Sequence, residues 1–139
     1  MLKVITVVGY VFFGLLISIT DIRYRLILNR HLLLFAGFTV ICNFQKIDIS
    51  TLKILFAVTV ILAILHLLFA KEIGAGDLKL FWVISFWSHS FAFWLQLFSL
   101  AWVLGGAFSA ISAISFWKFR RNIPLAPFIF LAFVPAIAA

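Results

Sequence analysis

Long uncharged runs alternate with short polar breaks along the whole chain. Residues 4–20 form the first run, closed by a polar and basic segment from Asp21 to Arg30. A shorter run covers 31–45, and the patch Gln45-Lys46-Ile47-Asp48 follows it. Residues 54–70 make a third run, and the segment from Lys71 to Lys79 carries a pair of glycines. No charge then appears for 38 residues, from Leu80 to Trp117. As a single helix that stretch would measure about 57 Å against roughly 30 Å of hydrocarbon, so it must cross a bilayer twice. Its most polar point, Ser88-His89-Ser90, predicts the turn. Lys118-Phe119-Arg120-Arg121 closes the fifth span. Pro124 suits the first turn of a sixth helix, where its missing N–H costs nothing, and Pro135 is expected to kink or fray that helix's end. The pattern predicts an all-α integral membrane protein, a bundle of about six short transmembrane helices forming one domain over residues 1–139. Several runs fall short of ~20 residues, so some ends must reach into the interface or the bilayer must thin.

Composition supports this reading. Hydrophobic residues make up 66% of the chain, charged residues 11%, and the mean hydropathy is +1.27. A water-soluble domain of 139 residues could not hide that much apolar surface. A transmembrane barrel would alternate polar and apolar positions, and this chain does not. The apolar stretch after Lys3 resembles a signal peptide, but it ends in Thr20-Asp21-Ile22-Arg23 without a small-residue cleavage pattern, so it reads as a permanent span. Cys42 is the lone cysteine, which excludes an intrachain disulfide and a cysteine-based zinc site.

The net charge of +7 does not point to nucleic acid, because the basic residues fall in clusters between apolar runs. With the N-terminus outside, the inner loops hold Arg23, Arg25, Arg30, Lys71, Lys79, Lys118, Arg120 and Arg121, and the outer ends hold Lys3, Lys46 and Lys53. Eight against three sets the orientation and puts both Asp21 and Asp77 at the cytoplasmic face.

Those two residues are the candidate chemistry. The chain has four acidic residues, and a carboxylate near a membrane span invites a functional explanation. Two of them suffice to activate water against a peptide bond. In Gly74-Ala75-Gly76-Asp77, the glycines permit positive φ and close approach of another chain, leaving the carboxylate open. The plainer alternative makes Asp77 a helix N-cap behind a glycine turn. For Asp21 the plainer alternative is an ion pair with Arg23 or Arg25 at the headgroups. The basic cluster itself is first an orientation signal. It can also hold a carboxylate ionised or meet an acidic substrate group. Lys79 can act likewise or snorkel to the interface. His66 and His89 lack ligand spacing, so no metal is expected. No serine has a base beside it. Gly105, Gly106, Ser109, Ala110 and Ala113 predict a close-packing helix face, and the five tryptophans fit interfacial belts or packing.

The chain resembles the prepilin peptidases, aspartic membrane proteases of the Gly-x-Gly-Asp type, over nearly its whole length. Three blocks carry the likeness: Asp21 to Arg30 with its basic residues and Asn29, Gly74 to Leu80, and the proline pair Pro124 and Pro127. The resemblance implies that Asp21 and Asp77 are the catalytic dyad, that Gly74 and Gly76 shape the loop presenting Asp77, and that no cofactor is needed. It implies a prepilin or pseudopilin substrate, cut at a short basic leader on the inner face of the bacterial cytoplasmic membrane, with pilus assembly machinery as a partner. Leu28 stands where many members have proline. The paired cysteines and methyltransferase extension of the larger enzymes are not in this sequence, so a minimal peptidase like those serving tight-adherence (Flp-type) pili, without N-methylation, is expected. Two rivals use the same residues differently. A small transporter would place its carboxylates at mid-span, and a non-catalytic subunit of a pilus or secretion machine would use them as caps and ion pairs.

Overall fold

The computed structural model describes residues 2–116 and 123–138. Seven α-helices and no strand occur among them. They are α1 (Leu2–Tyr24), α2 (Asn29–Asn43), α3 (Ile49–Phe69), α4 (Ala75–Ile84), α5 (Phe91–Phe116), α6 (Ala126–Ala132) and α7 (Val134–Ala138). Short 3₁₀ turns follow α2 at Phe44–Lys46 and α4 at Ser85–Trp87. The uncharged stretch does divide at Ser88-His89-Ser90, which separates α4 and its 3₁₀ extension from α5. The expected closing cluster Lys118-Phe119-Arg120-Arg121 lies outside the described residues.

The helices are of two kinds. Three are long and apolar enough to cross a bilayer: Lys3–Tyr24, Ile49–Phe69 and Phe91–Ser115. The other expected spans are shorter, and two of them, α4 and α6, are the more buried ones. In the ten residues of α4, Leu78, Leu80, Phe81, Val83 and Ile84 are buried. In the seven of α6, Ala126, Ile129, Phe130 and Ala132 are. Along the 21 residues of α3, by contrast, only Ile54, Val58 and Leu62 are buried, a single stripe at four-residue spacing. The short helix α4 packs on α2, α3 and α6, and α6 packs on α1, α4 and α5. Long helices therefore present apolar side chains outward, as lipid requires, while α4 and α6 fill the interior.

Aromatic packing fixes the interior. Tyr10 of α1 meets Phe130 of α6 edge-on at 5.3 Å, and its hydroxyl donates to the Phe130 carbonyl oxygen at 2.7 Å. Phe35 of α2 completes that cluster, 5.5 Å from Phe130. On the other side of the bundle Phe81 lies 4.6 Å from Phe98, which stacks on Trp94 at 5.0 Å. Without water to drive association inside a membrane, such close packing and cross-helix hydrogen bonds carry the fold.

The prolines fall one step away from expectation. Helix α6 begins after Leu125, so Pro124 precedes it and Pro127 occupies its first turn. Proline lacks the N–H that this turn leaves unpaired anyway, so either position fits. Of the kink or fraying expected at Pro135, the structure has an interruption: the helix breaks at Phe133 and restarts as α7, with Pro135 in its opening turn.

Candidate active site

Asp21 lies one turn before the end of α1 and is 6% exposed. Its Oδ2 accepts a hydrogen bond from the backbone N–H of Ala126, the first residue of α6, at 3.0 Å. The first N–H groups of any helix lack partners within it. A carboxylate from 105 residues away fills that role here, so α6 and Asp21 fix one another. Leu125, the residue at the N-cap position, makes no side-chain cap of its own.

Immediately after Asp21 the chain reverses. The Arg25 N–H bonds to the Asp21 carbonyl at 2.9 Å, and Arg25 takes a left-handed φ of 54°. That is the positive φ of this region. No glycine among the described residues adopts one. Of the two uses expected of Gly74 and Gly76, positive φ is corrected, and close approach is the one they serve, here to other parts of the same chain. A Cβ on Gly76 would sit 3.0 Å from the Cβ of Ile27, in the loop after Asp21. A Cβ on Gly74 would sit 3.1 Å from Asp77 Oδ2. The bare backbone lets the start of α4 lie against the loop between α1 and α2.

Asp77 itself stands in the first turn of α4 and is not its N-cap; Gly74 holds that position. The Asp77 side chain makes no hydrogen bond among the described residues. Burial, and then the negative charge of Asp21, push its carboxyl up to about 7. A carboxyl at that value carries its proton near neutrality, the state a general acid needs.

Both carboxyls line one cavity of about 720 Å³. Its wall includes Arg25, the segment Ala70 to Ala75, one face of α5, and Ile123 and Leu125. The α5 face consists of Trp102, Gly105, Gly106, Ser109 and Ala110, which recur at helical spacing. Those small residues were expected to pack against a helix. Gly105 does, since a Cβ there would meet Leu125 at 2.9 Å. Gly106 does not: nothing lies within 4 Å of a Cβ built on it, and the stripe opens the cavity instead.

The other residues singled out from sequence lie elsewhere. Arg23 and Arg30 are exposed and do not line the cavity. Lys79 donates to the Asn29 side-chain oxygen at 3.2 Å, joining α4 to α2 away from the aspartates. Pro124 and Pro127 flank the backbone N–H that holds Asp21 but do not line the cavity. Sequence reasoning missed Glu72 and the Ala126 N–H. Glu72 had a signal, being one of four acidic residues and close to the glycine motif. A backbone N–H carries no sequence signal.

No curated protein and no solved structure gives a significant match to this chain. A model of the type IV leader peptidase family does match, over residues 8–138 of the 139. With that coverage, and with the helical membrane architecture described above, the chain belongs to the type IV leader peptidase family.

Proposed function

We propose that the protein is a membrane aspartic endopeptidase that removes the leader peptide from prepilins or pseudopilins. The observation that carries this reading is that Asp21 and Asp77, 56 positions apart in sequence, share one cavity in which Asp77 has no hydrogen-bond partner among the described residues. A structural pair would be expected to bind each other's neighbours. Here one carboxyl is tied down and the other is left for a visitor.

The chemistry needs only the two carboxyls and water. Asp77 holds a proton up to about pH 7 and donates it to the scissile carbonyl oxygen. Asp21 has one oxygen on the Ala126 N–H and uses the other to take a proton from water, whose oxygen bonds to the carbonyl carbon. In the tetrahedral intermediate Asp77 recovers its proton from the hydroxyl as the carbonyl re-forms. Asp21 passes its proton to the departing amine as the C–N bond breaks. Both groups end as they began, and the pair titrates as one coupled unit.

The small-residue face of α5 is the route for the substrate. A peptide must be extended to be cut, and the space beside Gly106 and Ser109 admits a backbone. The substrate's own apolar helix stays in lipid, with its leader junction at the cavity. A cytoplasmic face for this end is supported by the bias of the basic residues, which orients spans in a bacterial inner membrane. Leader removal without N-methylation, serving tight-adherence pili, is the form of the activity proposed.

The test is a cleavage assay with purified protein and candidate prepilins. Asp21→Asn and Asp77→Asn should each abolish processing while the protein still inserts. Normal processing by either variant would refute the dyad and favour a subunit that uses these residues as caps.

A further inference from the structure

Arg25 stands where a glycine would be expected. It follows Tyr24, the last residue of α1, and it is the non-glycine residue with a left-handed φ, 54°, among the described residues. Helices commonly end on a residue in that conformation, and glycine is the usual occupant because a Cβ is crowded there. The bond that closes such an end is present: the Arg25 N–H donates to the Asp21 carbonyl oxygen at 2.9 Å. Glycine would make the same bond without strain, since it uses backbone alone. A long cationic side chain kept at a strained position calls for a use of that side chain.

The use follows from its surroundings. Arg25 lines the aspartate cavity together with Asp21 and Asp77. Its positive charge acts on the Asp21 carboxyl, whereas Asp77 is governed by burial and by the Asp21 charge. That asymmetry matters. Two neighbouring carboxyls that share a proton have no fixed roles until something separates them. A cation beside one member leaves the proton to the other.

The other charged groups are placed differently. Lys71 and Glu72 line the cavity from the loop after α3, adjacent to each other and of opposite sign. Arg23, Arg30, His31 and Lys79 do not line it, and α5 and α6 bring no charged residue. Among the described residues, Arg25 is the lining cation tied by its own backbone to Asp21.

We propose that Arg25 is a positioning residue of the dyad: from its left-handed turn it keeps Asp21 the base and leaves the shared proton on Asp77. The inference rests on the peptidase reading above and explains how its two roles are divided.

The experiment compares Arg25→Gln, Arg25→Lys and Arg25→Gly in the full-length protein in detergent. Arg25→Gln should move the acid side of the pH–rate profile for prepilin cleavage up by about one unit, because the base loses the cation that favours its ionised form. On that side of the optimum kcat/KM falls roughly tenfold. Arg25→Lys keeps the charge and should restore most of the profile. Arg23→Gln removes an exposed cation that does not line the cavity, and it should leave the profile unchanged. Arg25→Gly should be as impaired as Arg25→Gln yet melt a few degrees above it, since both lose the guanidinium and only glycine takes this φ without cost.

A second readout needs no cleavage. In the Asp77→Asn protein, the infrared band of protonated carboxyl at about pH 6 should grow when Arg25→Gln is added and stay as it is when Arg25→Lys is added. If the wild-type protein cuts no prepilin, the peptidase reading fails by itself, and this band decides for Arg25. A band that does not grow, an unchanged profile in Arg25→Gln, a profile displaced as far in Arg25→Lys, or equal melting of Arg25→Gly and Arg25→Gln overturns the proposal.

Discussion

Replacing Gly76 by alanine adds one methyl group at the point where α4 meets the loop after Asp21. The new Cβ would lie 3.0 Å from Ile27 Cβ. Carbon atoms in ordinary contact sit at about 3.5–4.0 Å, so the two backbones must give by a few tenths of an ångström. Ile27 cannot swing aside to absorb this, because the clash is with the carbon attached to its backbone and the residue is buried. Overpacking of this kind costs about 1–3 kcal/mol, offset by up to ~1 kcal/mol from alanine's better helix propensity. Stability should therefore fall modestly. Activity should fall further, because Asp77 is the next residue and a 1 Å misplacement of a reacting group can cost about 100-fold, of which a shift of a few tenths of an ångström costs a part. The expectation is a loss of roughly 3- to 10-fold in kcat/KM for prepilin cleavage, with a drop in thermal midpoint of only a few degrees. Gly37→Ala in α2 is the matched control, since nothing lies within 4 Å of its new Cβ and it does not line the aspartate cavity. It should retain nearly full activity. A wild-type rate for Gly76→Ala, or an equal loss in Gly37→Ala, would refute the close-approach argument.

Four other outcomes follow. Cleavage should decline above pH about 7, by roughly tenfold per unit, because the raised Asp77 carboxyl is protonated below that value and ionised above it; a rate that keeps rising to pH 9 contradicts this. In Asp21→Asn the negative neighbour is gone while burial remains, so Asp77 should titrate below 7 yet above an ordinary aspartate, read from its infrared carboxyl band. Gly106→Leu should insert and unfold normally but process substrate poorly, because it fills the open face of α5; unimpaired cleavage would remove that face from the substrate route. Tyr10→Phe loses the 2.7 Å bond to Phe130 and should cost about 1 kcal/mol in thermal unfolding, with α6 and its hold on Asp21 loosened.

Lys79 illustrates how neighbours in sequence mislead. It lies two positions beyond Asp77, yet on a helix that offset turns the side chain by about 200°. It points to Asn29 on α2 while Asp77 faces the cavity. The small residues of α5 mislead in another way. Small side chains permit close packing and open space equally well, and the pattern Gly105, Gly106, Ser109, Ala110 is the same for both. Only the placement of α6 against Gly105, and of nothing against Gly106, separates the two uses.

The run of charges and apolar stretches determined a helical membrane protein and the polar breaks seen among the described residues, because hydrocarbon tolerates neither unpaired backbone nor stray charge. Asp21 and Asp77 stood out for the same reason. What tertiary structure decided was which helices form the interior. A buried helix and a lipid-facing one are both apolar, so α4 and α6 look no different in sequence from α3 or α5. Packing also decided that Asp21 binds a backbone N–H from 105 residues away and that Asp77 is left without a partner among the described residues. Those are distances between segments far apart in the chain, and local composition does not encode them.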